Sequence, residues 1–278
     1  MSEYKTILVH CDAGKAMPAR LDIGFDLGAR FAARVACLSA FSAMPVISYG
    51  VEATQVLRQA QSDTLAGMRT RARLAYDEAL RRSGFENAEW RESEADALAD
   101  VALHARYADL VVIGQQDIDD ASGINGDFER SIPLAAGRPV LIVPYAFEHR
   151  PLGRHVLVAW NSSREAARAV TDALPILKSA SHVHVVSFRP ETSPDAHGEE
   201  PGADVGLFLT RHGVKVTVSH QDVPDMDVGT QLLSRAFDLS ADLIVMGAWG
   251  HSRMREFMLG GVTRTLLESM TVPVLMSH

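Results

Sequence analysis

The chain has 278 residues, 47% of them hydrophobic and 22% charged, which is enough apolar material for one large core or two ordinary ones and is not the composition of a disordered protein. A formal net charge of −8 excludes a general nucleic-acid binder and leaves room only for a local basic patch. Two cysteines, Cys11 and Cys37, make neither a disulfide framework nor a zinc-ligand spacing.

The cysteines therefore read as reduced thiols, and the expected compartment is cytoplasmic. "MSEYKTILVH" has no basic n-region and no long apolar run, so no signal peptide is expected. No apolar run approaches membrane-spanning length, so no membrane partner is expected either.

In chain order, "KTILVHCD" at 5–12 predicts the first strand, and a long helical stretch follows from Val51 to Arg82. "ADLVVIG" at 108–114 and "RPVLIVP" at 138–144 predict two further strands. "YAFEHRPLGR" at 145–154, marked by Pro151 and Gly153, reads as a linker. His155–Trp160 is then a strand, and Ser162–Lys178 a helix with Ala166, Ala169, Val170, Ala173 and Leu177 on one face. "HVHVVSF" predicts a strand, a helix runs from about Glu200 to Arg211, and "VKVTVSH" is the next strand. "VGTQLLSRAFDLS" is helical, "DLIVM" a strand, "VTRTLLES" a helix and "VPVLM" the last strand.

These elements form an internal repeat. "KTILVHCD" is matched by "RHVLVAWN" at 154–161, "ADLVVIG" by "ADLIVMG" at 241–247, and "RPVLIVP" by "VPVLMSH" at 272–278. The first copy carries extra residues between its first and fourth strands, assigned mostly to the 51–82 helix. Runs such as "ILV", "VLVA", "LVVI", "LIVM" and "VLIV" are apolar on both faces, as in parallel strands covered by helices on each side. The expected fold class is α/β: two tandem doubly wound parallel-sheet domains of five strands each, over residues 1–148 and 152–278.

In such sheets ligands bind beyond the carboxyl ends of the strands. "GAWGHSRMREFMLGGVT", which leaves the fourth strand of the second copy, joins glycines that allow close backbone approach to a helix N-terminus that favours anions. Arg253 and Arg255 add positive charge. The spacing is neither the Walker pattern nor the dinucleotide fingerprint; it is G-x2-G-x9-G followed by Gly261. The chain resembles the universal stress protein family, whose nucleotide-binding members carry G-x2-G-x9-G-[ST] at this place. It repeats the family's β1 "ILV", β2 "HVV" and β5 "PVL" segments in tandem.

The resemblance implies strand order 3-2-1-4-5, an adenine nucleotide alpha hydrolase-like sheet, and a stress-response or sensor role without enzymatic activity beyond at most slow ATP hydrolysis. It implies ATP, or the related ADP or AMP, with Mg2+ as an allowed companion. Gly247, Gly250 and Gly260 match the motif, with Met246 before it, Val262 following, and Arg253 within it. Ala159, Trp160 and Asn161 take the end of the first strand, and Val185 the place of the adenine-facing valine. Two departures stand out. Gly261 replaces the motif hydroxyl, for which Thr263 or Ser252 are substitutes, and Asn161 replaces an aspartate, keeping hydrogen-bonding capacity but no charge for a metal-bridged contact. These departures motivate an alternative reading, an interaction scaffold that binds no nucleotide.

The first copy, "GQQDIDDASGINGDFERSIPLAA", keeps Gly114 and Gly126 but puts Asp117 where Gly250 stands. It sets Arg130 against Asp117, Asp119, Asp120, Asp127 and Glu129, whereas the second copy sets Arg253, Arg255 and Arg264 against Glu256. Like charges beside a triphosphate are repulsive even when solvated, so the first half is expected not to bind ATP although Asp12 keeps the strand-end acid. "VLIV" and "VLM" are expected to pair the halves into an intramolecular pseudo-dimer, with a further homodimer open.

Other constellations read as structural. His10, Cys11 and Asp12 alternate across a strand and lack ligand spacing. His182 and His184 share a face, and His184 reads as a packed histidine. Trp160 and Trp249 either flank a base or narrow the pocket. His251 and Ser252 lack an orienting carboxylate for nucleophilic catalysis.

Overall fold

The computed structural model describes residues 3–42, 51–120, 122–123, 127–148, 150–189, 202–222, 227–248 and 261–278. They belong to two compact units, one of Tyr4–Ala136 and one of Gly137–His278.

In the first unit, β1 (Thr6–Cys11), α1 (Met17–Phe31), β2 (Arg34–Ser39), α2 (Val51–Ser83), β3 (Ala88–Glu92), α3 (Ala97–Ala105), β4 (Leu110–Gly114) and α4 (Phe128–Ala135) alternate along the chain. The strands lie in the order β3-β2-β1-β4 and every described pairing is parallel. Ile7, Val9, Val35, Leu110 and Val112 have no measurable exposure, as strands covered on both faces require. Pro18 starts α1 and Ala32, in the left-handed region at φ 49°, ends it. The 33 residues of α2 account for the extra length of the first copy. Ala72, Tyr76 and Ala79, in its C-terminal part, are its buried positions and recur at helical spacing.

In the second unit, β5 (Val140–Val143) precedes β6 (His155–Trp160), α5 (Arg164–Ser179), β7 (His182–Arg189), α6 (Ala203–Arg211), β8 (Val216–Asp222), α7 (Val228–Asp238), β9 (Leu243–Gly247), α8 (Gly261–Ser269) and β10 (Val274–Ser277). The order is β5-β10-β9-β6-β7-β8. From β6 onward this is the expected 3-2-1-4-5 winding, parallel throughout. β5 adds to it antiparallel, with Val140 opposite Met276 and Ile142 opposite Val274. The "VLIV" strand of the first sequence copy thus lies in the compact unit of the second.

The aspartate shared by the two "ADL" segments has the same task in both copies. Asp109 accepts from the backbone N–H groups of Lys5 and Thr6 at 2.8 and 3.0 Å. Asp242 accepts from those of Gly153, Arg154 and His155 at 2.7–3.1 Å. Each carboxylate satisfies the donors at the entry to the strand beside its own, so this part of the repeat is structural.

Candidate functional site

At the carboxyl edge of the second unit, β6 and β9 are neighbours and Ala159 stands opposite Met246. Gly247, one residue on, faces Ser277 of β10. Ala159 and Trp160 are half-buried and Asn161 is exposed. Asn161 turns the chain into α5: its Oδ1 accepts from the N–H and hydroxyl of Ser163 at 3.2 and 2.7 Å. Ser163 Oγ in turn accepts from Ala166 N at 3.1 Å, capping α5. Asn161 therefore spends its oxygen on the turn, and its amide nitrogen remains to meet a ligand.

Gly247 and Gly261 answer to different surroundings. A Cβ at Gly247 would lie 2.5 Å from Ala166 N and 2.6 Å from Glu165 C, because the first turn of α5 is seated directly on the end of β9. Glu165, 7% exposed, brings a carboxylate to this junction. Burial alone would raise its pKa, but the hydrogen bond from Arg164, its own backbone N–H and the Arg164 and His278 charges hold it below the usual value. Gly261 opens α8 and is exposed, and among the described residues the nearest atom to a Cβ there is Asp227 Oδ1 at 3.9 Å. Val262 is half-buried. Thr263 is buried with Leu266 and Leu267 on the packed side of α8, so its hydroxyl belongs to that packing.

Asp227 is the residue that sequence reasoning did not single out. It caps α7, accepting from Thr230 N at 3.0 Å and Thr230 Oγ1 at 3.2 Å. Its burial pushes the pKa up, but hydrogen bonds from Thr230, Thr265 and Gly229 prevail and keep it low. An ionised carboxylate thus stands beside the first residue of α8. The signal for it was available as an acid just before the helical run "VGTQLL".

Val185 has no exposure and sits beneath the start of α6, with Cγ1 3.9 Å from where a Cβ of Gly202 would be. Its register partners are Val158 and Val218, one level below the rim pairs Ala159–Val186 and Trp160–Ser187. The predicted Gly250, Arg253 and Gly260, with Trp249, His251, Ser252 and Arg255, lie outside the described residues, as does Gly126 in the first copy.

The first unit uses the corresponding edge differently. The loop after β4 closes onto the loop after β1. Ala13 N donates to Ser122 O at 3.2 Å, and Lys15 N to Asp120 Oδ2 at 2.7 Å. A Cβ on Gly14 would come within 2.9 Å of Gly123 Cα, so only glycine permits that approach. Asp120, 7% exposed, also accepts from Ser122 N at 3.0 Å. Burial raises its pKa, but these amides and the Lys15 charge bring it below normal. Asp12, the retained strand-end acid, is paired with buried Arg20 at 2.7 Å and accepts from Gly14 N at 2.9 Å. Among the described residues, the amides of Gly14, Lys15 and Ser122 already hold the chain's own carboxylates.

His10 donates from Nε2 to Ala40 O at 2.9 Å, and burial is the main cause that lowers its pKa to about 4. His182 meets Thr217 Oγ1 at 2.9 Å and lies against His184, ring centroids 4.3 Å apart and planes tilted by 57°. Burial, then the neighbouring His182, Arg235 and His155 charges, lower the His184 pKa. Among the described residues no group of three or more His, Cys, Asp or Glu could hold a metal ion. Among them also, no helix is long and apolar enough to cross a membrane.

Two doubly wound α/β units, the second with Gly247 ending its fourth strand and Gly261 starting its last helix, define the structural class. Residues 153–278 match the model of the universal stress protein family. The fold extends over the whole length. A universal stress protein from Archaeoglobus fulgidus DSM 4304 superposes with TM-score 0.69 at 15% identity, covering 98% of this chain and 97% of its own. A functionally unknown protein from Pseudomonas aeruginosa PAO1 superposes with TM-score 0.60 at 15% identity, covering 99% and 92%. No curated protein matches the chain.

Proposed function

We propose that this stress protein binds ATP, or the related ADP or AMP, through its second domain and acts as a sensor of that nucleotide. The observation that carries the reading is the contrast between the two copies. In the first, Asp120 and Asp12 occupy the loop amides and Gly14 touches Gly123. In the second, Ala159 and Met246 come together at the strand ends, no described residue meets the Asn161 amide nitrogen, and Gly261 opens α8 with no described atom nearer than Asp227 Oδ1. The positive end of α8 and the arginines of the preceding loop suit a phosphate. Magnesium would arrive with the nucleotide, since Asn161 brings no charge. The β5–β10 pairing supports the further reading that the two sequence copies associate as an intramolecular pseudo-dimer.

Isothermal titration with ATP on the wild type and on Gly250→Asp tests the proposal. Saturable binding by the wild type, weakened at least tenfold in the variant, is expected. Absent binding, or equal binding by both, sinks it. Turnover of ATP above buffer would add slow hydrolysis, for which no catalytic residue is assigned.

A second reading, an interaction scaffold without nucleotide, draws on Gly247. The seat of α5 explains this glycine without any ligand, and Asp227 sets a carboxylate beside α8. Partners in a pull-down that are unchanged by ATP, together with a flat titration, would favour it.

A further inference from the structure

Three histidines of the second unit gather where its strands begin, at the other end from Ala159 and Asn161. His155 opens β6 and stands opposite His182, which opens β7. His184 follows on the same face of β7, because strand side chains alternate, and its register partner in β8 is Thr217. The His182 and His184 ring centroids are 4.3 Å apart, and His182 Nε2 reaches Thr217 Oγ1 at 2.9 Å. Arg235, in the last turn of α7, brings its charge to bear on His184.

The cluster has one sign. Burial lowers the His184 pKa, and the charges of His182, Arg235 and His155 lower it further, with no carboxylate among them. The side chains of His184 and Arg235 make no hydrogen bond, and Arg235 makes no ion pair. Both are half-buried, yet none of their nitrogens is sealed from solvent, so a ligand in solution reaches them directly. A guanidinium that has given up part of its hydration recovers the cost from an acceptor. The carbonyl end of α7 favours its charge but leaves its N–H fork unspent. A metal ion would gain the imidazoles but face Arg235 with no carboxylate to offset it. An anion meets only complementary groups.

We propose that this face binds a phosphate group, as the free ion or as the monoester of a small molecule, with Arg235 taking two of its oxygens and His184 and His182 donating to the others. The planar guanidinium matches two oxygens of one phosphate. With the Thr217 hydroxyl donating to His182 Nε2, the proton of that ring sits on Nδ1 and is free for the ligand. The site stands apart from nucleotide binding at the carboxyl ends of the strands, and neither reading depends on the other.

The test is histidine-labelled nitrogen NMR of the full chain at constant ionic strength, titrated with inorganic phosphate, with glycerol 3-phosphate and with chloride. At least one phosphate is expected to shift the His184 and His182 resonances saturably and to raise the His184 pKa, since a bound anion favours the charged ring. The tighter of the two distinguishes free ion from monoester. Chloride is expected to give no saturable shift. Arg235→Gln is expected to weaken phosphate binding at least tenfold, and the wild-type series stands by itself if that variant does not fold. The proposal is overturned if neither phosphate gives a saturable shift at these rings, if chloride binds as tightly, or if folded Arg235→Gln binds phosphate as the wild type does.

Discussion

A Cβ at Gly247 would strike the Ala166 nitrogen at 2.5 Å, while one at Gly261 would find its nearest described neighbour, Asp227 Oδ1, at 3.9 Å. The obstacle at Gly247 is backbone and cannot swing away, so Gly247→Ala is expected to cost about 1–3 kcal/mol in urea unfolding. Gly261→Ser restores the motif hydroxyl at an open position. It is expected to leave stability within about 0.5 kcal/mol and to tighten ATP binding about tenfold, the worth of one added hydrogen bond to a charged group. Titration of both proteins checks it; unchanged affinity would show that the hydroxyl meets Asp227 instead of phosphate. His10 supplies a pH effect at the same scale. Burial sets its folded pKa near 4 against an ordinary 6.5, so between those values the unfolded chain takes up a proton that the folded chain refuses. Stability therefore falls as pH drops from 6.5 toward 4, by on the order of 3 kcal/mol from this group. His184 acts in the same direction, so the measurement is the difference in slope between wild type and His10→Phe in denaturant titrations across that window.

Elements are placed by their ends as much as by their faces. α5 begins where Ser163 caps Ala166 and is itself held by Asn161, which links helix start and strand end in one hydrogen-bonded turn. Ser163→Ala should lower stability by about 1 kcal/mol, the usual worth of an N-cap, as read by the urea midpoint. The apolar stripe of α5 was legible from Ala166, Ala169, Val170, Ala173 and Leu177, all buried as periodicity demands. The extent of α2 was legible too. Its packing was not, because among the described side chains only Ala72, Tyr76 and Ala79 toward its end are buried, and which turn of a long polar helix meets the sheet depends on what lies opposite.

At the scale of the molecule, β10 is bordered on one side by β9 and on the other by β5. A fragment of residues 152–278, cut where the linker reads as the boundary, lacks β5 and leaves the edge of β10 open, and an open apolar edge seeks another strand. That fragment is expected to associate more strongly in size-exclusion chromatography than residues 137–278, which keep β5. Equal elution volumes per chain would show that β5 does not close that edge.

The two-fold repeat, the parallel winding, the family match of the second domain and the loss of the glycine frame in the first are all legible in the order of the amino acids. All of these rest on local pattern: apolar runs, helical spacing, and charges that sit together in the chain. Other features depend on how distant parts of the chain pack. Val185, read as facing a base, lies fully buried under α6, one register step below the rim, because strand register is set by neighbours far away in sequence. Asp227 and Gly261 meet although 34 residues of chain position separate them. Asp120 reaches the amide of Lys15 across 105 residues. Such encounters depend on where the fold returns the chain, and no local pattern encodes that.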